Sequence, residues 1–285
     1  MVSRPFFSGK RVLVIGGSRG IGRALALHLA HRGATVCIAA RSQADLADGK
    51  AALDAISSAP HGAVELDVSR PAAMPAARDL ILDHLGGLDV LVCGSGYARA
   101  AAFLDTDPDE FGRLMAVNYL GHVHAVRCFA PLMARQGSGD ICLLSSLVAC
   151  LPIYGYSAYA ASKGAIAVFA ESLRQEMKLH GVRVGVFYPP TTDTPGLADE
   201  NRTKPPAVWA LESQSGWNRI YAADEVACSI ARCIERGVVH GTIGFDSWIL
   251  RTGQRLLPGL VRRLTDGEVR KALAAARRKE KTCGM

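Results

Sequence analysis

Short apolar runs alternate with longer amphipathic segments over most of the chain. The apolar runs read as buried strands, namely Arg11–Ile15, Ala34–Ala40, Ala63–Leu66, Leu88–Cys93, Asp140–Ser145 and Val182–Tyr188. Between them, apolar residues recur every three or four positions, which predicts helices, the longest over Pro108–Met133. Strands that alternate with helices predict an α/β fold with a doubly wound, mostly parallel sheet and helices on both faces.

The chain beyond the sixth predicted strand has a different pattern. Thr191–Trp217 shows no clean periodicity and is rich in Pro, Thr and Asn, so we expect an irregular lid over a substrate at about 191–220. Ala223–Glu235 returns to a helical pattern, and Gly241–Phe245 is compatible with an edge strand.

The first strand runs directly into a glycine-rich turn that opens the first helix. This order predicts a Rossmann-type dinucleotide site, because glycines let the backbone approach a pyrophosphate at a helix N-terminus. The spacing here is G-x-x-x-G-x-G. The predicted contacts in the turn are Gly16, Ser18, Arg19, Gly20, Ile21 and Gly22.

The end of the second strand bears on the choice of cofactor. A site for NAD wants a carboxylate there, whereas this chain has Ala40 followed by Arg41, with Arg19 in the glycine turn. Guanidinium groups suit a 2′-phosphate, so we expect NADPH. Two solvated arginines are the alternative interpretation. After the third strand, Asp67 and Val68 are expected to contact the adenine.

Tyr159 and Lys163 lie four residues apart at the start of a helical pattern, so they share a helix face. A lysine and an oxidised nicotinamide nearby would lower the pKa of the phenol from about 10. Ser146, at the end of the fifth strand, could hold a carbonyl oxygen beside the tyrosine. Tyr154 and Tyr156 have no lysine four residues on.

Several candidate cofactor-binding and catalytic residues directly follow the ends of predicted parallel strands. The glycine turn, Gly94, Ser146 and Pro189 all fall there, and ligands bind at this edge of a doubly wound sheet. Asn118 lies inside a helical pattern although asparagine is a poor helix former, so it needs hydrogen-bonding partners for structure or for a water relay.

The net charge of +7 on 285 residues is unevenly placed. Residues 251–285 hold ten basic and three acidic residues, so they account for the whole excess and the rest of the chain is balanced. A balanced body argues against nucleic-acid binding. We expect one dinucleotide-binding catalytic domain over 1–250, followed by a basic amphipathic tail.

Three features that the sequence does not show bear on the cellular compartment: a membrane-spanning run, an N-terminal apolar segment and paired cysteines. No apolar run reaches the roughly 18 residues of a membrane-spanning helix, and Met1–Lys10 has no extended apolar segment, so we expect a cytoplasmic protein. The eight cysteines form no C-x-x-C pair, which predicts reduced thiols and no metal site. The tail fits either peripheral contact with a membrane's cytosolic face or a solvated terminus.

Taken together, these residues resemble the short-chain dehydrogenase/reductase superfamily over about residues 10–245. The matching positions are Gly16, Gly20, Gly22, Asp67, Asn118, Ser146, Tyr159 and Lys163. Within it, Pro189–Gly196, Glu200–Pro205 and Asn118–Gly121 are similar to the 3-ketosphinganine reductases. The chain departs at Ile15, usually Thr, and at Cys93–Gly96, usually Asn-Asn-Ala-Gly, which predicts altered hydrogen bonding near the cofactor rather than lost activity.

The resemblance implies NADPH-dependent reduction of a ketone to a secondary alcohol, with 3-ketosphinganine as the favoured, lipid-like substrate. Tyr159 would donate the proton, Lys163 would hold the nicotinamide ribose, and Ser146 would position the carbonyl. Asn118 would carry a relay water, and Thr194 would contact the nicotinamide carboxamide. It also implies a homo-oligomer, either a dimer or a tetramer.

Two other interpretations stay open. The substrate could be another hydrophobic ketone, such as a steroid, a retinoid or an acyl intermediate. The chain could also be a non-catalytic NADP(H) sensor, although a sensor has no need of all four groups that the resemblance assigns to catalysis.

Overall fold

The computed structural model of the chain describes residues 5–214 and 219–283, and strands in these ranges form one seven-stranded sheet and one two-stranded sheet. The strands are β1 (Arg11–Ile15), β2 (Thr35–Ala40), β3 (Gly62–Glu65), β4 (Val90–Cys93), β5 (Gly139–Leu144), β6 (Val182–Phe187), β7 (Thr192–Asp193), β8 (Tyr221–Ala222) and β9 (His240–Gly241). The last part of the predicted lid, 215–218, lies outside the described residues, as do residues 1–4 and 284–285 at the two termini.

The large sheet has the order β3-β2-β1-β4-β5-β6-β9, and all its neighbouring strands are parallel. The direction of winding reverses between β1 and β4, which leaves a crevice beyond the carboxyl ends of these strands. This arrangement confirms the predicted doubly wound, Rossmann-type sheet.

Helices cover both faces of the sheet. The helices are α1 (Gly20–His31), α2 (Gln43–Asp54), α3 (Met74–Leu85), α4 (Pro108–Leu114), α5 (Gly121–Gln136), α6 (Ser157–Lys178), α7 (Pro195–Asn201), α8 (Pro206–Gln214), α9 (Ala223–Arg236), α10 (Phe245–Leu256) and α11 (Pro258–Cys283). On one face, Leu25 of α1 and Ile230 of α9 are buried in a common core. On the other, Phe129 of α5 and Ile166 of α6 are buried in a second core. The sheet is therefore apolar on both sides, as parallel sheets usually are.

The long helix predicted from Pro108 is interrupted. Between α4 and α5, Met115–Leu120 forms a π-helical segment, and the completely buried Asn118 lies within it. Segments of this kind are rare and often occur at functional sites. Asparagine is a poor former of regular α-helix, and at Asn118 the backbone takes the wider π-helical turn instead.

The segment expected to be irregular contains β7, α7 and α8. Both helices are short, so their apolar residues span too few turns for a period to be recognised from sequence. Both also begin with proline, Pro195 and Pro206. Proline is a helix breaker in most contexts but is well suited to the first turn of a helix, where its missing N–H costs nothing.

The C-terminal part also differs from expectation. The edge strand is β9, not Gly241–Phe245, and Phe245 already belongs to α10. The residues that follow form α11, which packs against α8 and buries Ala272 and Ala276. No helix in the described ranges has both the length and the apolar composition needed to cross a bilayer.

Candidate active site

A cavity of about 1650 Å³ opens at the carboxyl ends of β1, β4, β5 and β6. Ligand pockets commonly measure roughly 300–1,000 Å³, so this cavity has room for a dinucleotide and a second ligand. Among the predicted site residues, those that line it are Gly16, Ser18, Arg19, Gly20, Ile21, Gly22, Arg41, Val68, Gly94, Ser146, Tyr159, Lys163, Pro189 and Thr194.

The glycine turn after β1 fits a bound pyrophosphate. Gly16 has φ +81°, and a Cβ added there would come within 2.7 Å of the Ser95 backbone nitrogen. A Cβ on Gly22 would lie 2.1 Å from the Gly16 carbonyl oxygen. No side chain caps the start of α1, so its first N–H groups remain available to an anion at the positive end of the helix.

Arg19 and Arg41 both line the cavity, as the prediction of a 2′-phosphate site requires. Arg19 lies 3.8 Å from the carboxylate of Asp45 and 3.7 Å from that of Asp199. The sequence has no acidic residue at the end of β2. Asp45, in the first turn of α2, places a carboxylate beside Arg19 instead. These pairs are half exposed and therefore weak, so a phosphate can displace them. Arg41 makes no ion pair within the described residues.

Asp67 is not among the residues that line the cavity, and its contact with the adenine stays a prediction. Its carboxylate accepts hydrogen bonds from the backbone nitrogen and hydroxyl of Ser69, at 3.0 and 2.7 Å. Arg70 approaches the same carboxylate at 3.6 Å. The aspartate therefore closes the turn after β3, and its neighbours Leu66 and Val68 face the cavity instead.

The start of α6 brings Tyr159 and Lys163 together with Ser146. Lys163 Nζ lies 5.9 Å from the centre of the Tyr159 ring and donates a hydrogen bond to the Leu144 carbonyl oxygen at 3.1 Å. The Ser146 side chain is near enough to Tyr159 to lower the pKa of the phenol. Because Ser146 lies two residues beyond the end of β5, the strand end and the helix start hold these three groups at one place.

Loss of solvation is the largest influence on the pKa values of Tyr159 and Lys163 in the protein without cofactor. It raises the pKa of Tyr159 to about 12, although the hydrogen bond with Ser146 acts in the opposite direction. It lowers the pKa of Lys163 to about 8. The sequence-based expectation that Lys163 helps to bring the pKa of Tyr159 down is therefore not met by the protein alone. A phenol with this pKa carries its proton at neutral pH.

Asn118 does not line the cavity, but it fixes the loop that does. Its side chain makes two hydrogen bonds of 3.0 Å with the backbone of Tyr97 and donates a third to Ser162 at 2.9 Å. A Cβ on Gly96 would lie 2.9 Å from Asn118 Oδ1 and 3.1 Å from Lys163 Nζ. The asparagine and the lysine therefore approach the same glycine, while the water relay stays a prediction.

Pro189 and Thr194 connect the end of β6 to the glycine turn. The Pro189 carbonyl oxygen accepts a hydrogen bond from the Leu147 backbone nitrogen at 3.1 Å. The Thr194 hydroxyl caps α7 by accepting from the Leu197 nitrogen at 3.2 Å. The Thr194 side chain also lies against Gly20, so the segment expected to act as a lid starts beside the predicted cofactor site.

The sequence analysis missed a polar cluster in the cavity, formed by Tyr156, Glu200, Lys204 and Glu212. The Tyr156 hydroxyl contacts both glutamates, and Lys204 pairs with both of them. A usable signal was present, because Glu200 and Lys204 are four residues apart and of opposite charge. No group of His, Cys, Asp and Glu side chains in the described ranges is arranged to hold a metal ion.

A family model, two curated proteins and a solved structure that are similar to this chain are all described as dehydrogenases or reductases. The family model described as short chain dehydrogenase matches residues 10–205. Proteins named 3-ketodihydrosphingosine reductase from Bos taurus and Mus musculus are each 34% identical to this chain, over 85% of it and 73% of their own length. A crystal structure of a short-chain type dehydrogenase/reductase from Mycobacterium marinum is similar, with a TM-score of 0.74 and 27% identity, covering 84% of this chain and 94% of that one.

Proposed function

Because the chain belongs to the short-chain dehydrogenase family, and is therefore an oxidoreductase that uses a nicotinamide cofactor, we propose that it reduces 3-ketosphinganine to sphinganine with NADPH. The observation that carries this proposal is the meeting of Tyr159, Lys163 and Ser146 in a cavity large enough for cofactor and lipid. The names of the Bos taurus and Mus musculus relatives favour this substrate over other hydrophobic ketones.

In the proposed reaction, NADPH supplies the hydride when bound. The Tyr159 hydroxyl holds its proton at neutral pH and donates it to the ketone oxygen as general acid. The Ser146 hydroxyl, which lines the same cavity beside Tyr159, positions that same oxygen. Lys163 stands beside the ring, and its ammonium favours the phenolate that remains after proton transfer. Asn118 keeps the loop at Gly96 in place, next to that ammonium.

The direct test is oxidation of NADPH by the purified protein with 3-ketosphinganine, a steroid ketone and a short-chain ketone. We expect turnover with the long-chain amino ketone and at least about tenfold lower kcat/KM with the other two. Preference for the steroid would replace the substrate assignment and leave the chemistry intact. NADPH binding without turnover of any ketone would identify a nucleotide sensor.

The choice of NADPH rests on Arg41 and Arg19, which line the cavity near the end of β2. A guanidinium that binds the 2′-phosphate contributes roughly 1.5–3 kcal/mol, so Arg41→Ala should reduce the preference for NADPH over NADH by at least about tenfold. The measurement is kcat/KM with each cofactor for both proteins. An unchanged ratio would remove Arg41 from the cofactor site.

We also propose peripheral contact with the cytosolic face of a membrane through α10 and α11. Four leucines there are more than half exposed, and three arginines lie among them: Leu256, Leu257, Leu260 and Leu264 with Arg255, Arg262 and Arg263. Exposed apolar side chains with basic side chains close by in the sequence suit anionic lipids. Flotation with anionic and with neutral liposomes should show binding to the anionic ones, and replacing the three arginines by glutamate should abolish it.

A further inference from the structure

Two C-terminal helices, α10 and α11, form part of the wall of the cavity that Tyr159 lines. The apolar residues that these helices contribute to the lining are Ile249, Leu250, Val261, Leu264 and Val269. The family model ends at residue 205, so both helices lie beyond the part of the chain that it describes. This part of the wall is therefore a feature that membership of the family does not account for.

Packing contacts connect α11 to the reacting groups. The rings of Tyr156 and Tyr159 are 6.1 Å apart between centres. Tyr156 belongs to one buried cluster with Val208 of α8, and Tyr159 packs against that cluster. α8 packs in turn against α11. The C-terminal helix thus lies against the helix that packs on the tyrosines.

The elements between the reacting groups and α11 contribute apolar side chains to the wall. Ile153 packs against the cluster of Tyr156 and lines the cavity. Leu211 of α8, which is 7% exposed, lines it as well. α10 adjoins α11 here, since a Cβ added to Gly253 would lie 3.9 Å from Val261 Cγ2. The cavity therefore offers apolar surface well beyond the place where the ketone reacts.

The charged side chains in this part of the lining have other partners or reach solvent. The Asp246 carboxylate accepts a hydrogen bond from the Tyr221 hydroxyl at 2.8 Å. The guanidinium of Arg251 lies over the Tyr188 ring, 5.9 Å from its centre. On α11, Asp266 is exposed. An apolar ligand can therefore cover the aliphatic side chains without taking a partner from these groups.

Leu264 marks a place where the cavity reaches the surface. It lines the cavity and is nevertheless 61% exposed, so its side chain forms part of the rim. Apolar surface that faces water in a cavity is costly until a ligand covers it. The ketone of the proposed function carries a long alkyl chain, which matches this surface in polarity.

We propose that the alkyl chain of the substrate lies along α10 and α11, with the carbonyl at Tyr159 and the far end of the chain toward Leu264. This inference rests on the proposed function and adds to it the residues that select for chain length, Ile249, Leu250 and Val261. Burial of one CH₂ group strengthens binding by a factor of about four. The preference for long ketones therefore grows with each methylene that these side chains cover.

The experiment measures kcat/KM with NADPH for 2-amino-3-ketones of increasing alkyl length. The ketones are delivered as monomers from cyclodextrin, so that no membrane takes part. The native full chain should gain about two- to fourfold for each added CH₂ until the alkyl chain reaches the rim. Val261→Trp fills the space along α11 and should lower kcat/KM for the longest ketone at least about tenfold, while the value for the shortest ketone is kept.

A second variant keeps the test decisive if Val261→Trp does not fold. Ile249→Ala removes contacts from α10 without adding bulk, and it should lower kcat/KM several-fold for the longest ketone alone. Ala274→Trp is the matched control, because Ala274 is exposed on α11 and is not among the residues that line the cavity. It should leave the dependence on chain length unchanged. Thermal unfolding and NADPH affinity show whether the fold and the cofactor site survive in each variant.

The outcomes separate the two proposals. If the native protein reduces short and long ketones equally well, the reductase stands and the alkyl-chain site is refuted. The same holds if Val261→Trp and Ile249→Ala lower kcat/KM equally for all lengths, or if Ala274→Trp acts as they do. If the native protein binds NADPH and reduces none of the ketones, the proposed function fails and the alkyl-chain site fails with it.

Discussion

Among the single residues of this protein, Lys163 shows most clearly how function opposes stability. The residue is 5% exposed, and its ammonium donates a hydrogen bond to the Leu144 carbonyl oxygen. Burial disfavours the charged form and lowers the pKa of the lysine to about 8. A residue kept in such a position at the expense of folding free energy is typical of a catalytic site.

Tyr159→Phe removes the proposed proton donor and little else. We expect kcat to fall by about 10²–10⁴-fold, the usual contribution of a general acid, while the Kd for NADPH stays the same. Single-turnover oxidation of NADPH and fluorescence titration measure the two quantities. Tyr154→Phe, which removes a hydroxyl from another tyrosine of the cavity, is the control and should keep kcat. Near-normal turnover by Tyr159→Phe would refute the assignment.

Lys163→Met should make the protein more stable and inactive. The native pKa of about 8 lies below the unfolded value of 10.5, so the unfolded chain binds more protons between these values. Stability of the native protein is therefore reduced below pH 8 and recovers as the pH rises toward 10.5. After the loss of one hydrogen bond is counted, the variant should gain about 1–3 kcal/mol at pH 7 and progressively less above pH 8. Urea unfolding at pH 7 and pH 9.5 measures this, and an equal gain at both values would contradict it.

At the scale of elements, the two helices that are hardest to recognise in the sequence, α7 and α8, carry or flank the polar cluster that Glu200, Lys204 and Glu212 form with Tyr156. Glu200 belongs to α7, Lys204 follows it, and Glu212 belongs to α8. α11 packs against α8, and its residues Ala272 and Ala276 are buried. The wall of the cavity therefore depends on a C-terminal helix far away in sequence, a dependence that helical periodicity does not reveal.

Ala272→Glu should detach α11 from α8, because it buries a carboxylate at a position that is 1% exposed. We expect faster proteolysis between α10 and α11 and a several-fold higher KM for a long-chain ketone, while NADPH affinity is unchanged because the glycine turn lies elsewhere. Ala274→Glu makes the same substitution at an exposed position of α11 and should have neither effect. Loss of NADPH binding in Ala272→Glu would mean that α11 supports the whole domain.

At the scale of the whole molecule, α6 connects the interior of the site to the surface. Tyr159 and Lys163 face the cavity from its first turns, whereas Val168 on the same helix is 72% exposed and Leu179, just after its end, is 85% exposed. Exposed aliphatic side chains on a helix that holds the reacting groups are a suitable place for another copy of the chain to pack.

We expect sedimentation velocity to find a dimer or a tetramer, with Val168 in the interface. Val168→Lys should shift the distribution toward monomer at micromolar concentration, because a lysine in an apolar contact loses its hydration. Leu104→Lys replaces another exposed aliphatic residue, one that is 92% exposed and lies between β4 and α4, and should leave the distribution unchanged. A native protein that sediments as a monomer would contradict this prediction.

The sequence by itself determined the order of the strands from β1 to β6, the glycine turn and the pairing of Tyr159 with Lys163. These features depend on residues close together in the chain: a period of two or 3.6 residues, or a spacing of four. The carboxyl edge of the sheet could also be predicted, because consecutive parallel strands end on the same side.

The tertiary structure alone decided which charged side chains line the cavity and how the reacting groups titrate. Tyr156 meets Glu200 and Glu212 across separations of 44 and 56 residues, and the carboxylate of Asp67 is engaged by Ser69. The pKa of Tyr159 rises although its lysine neighbour is in place, because desolvation depends on every atom packed around the phenol. Such packing comes from distant parts of the chain, and no local pattern encodes it.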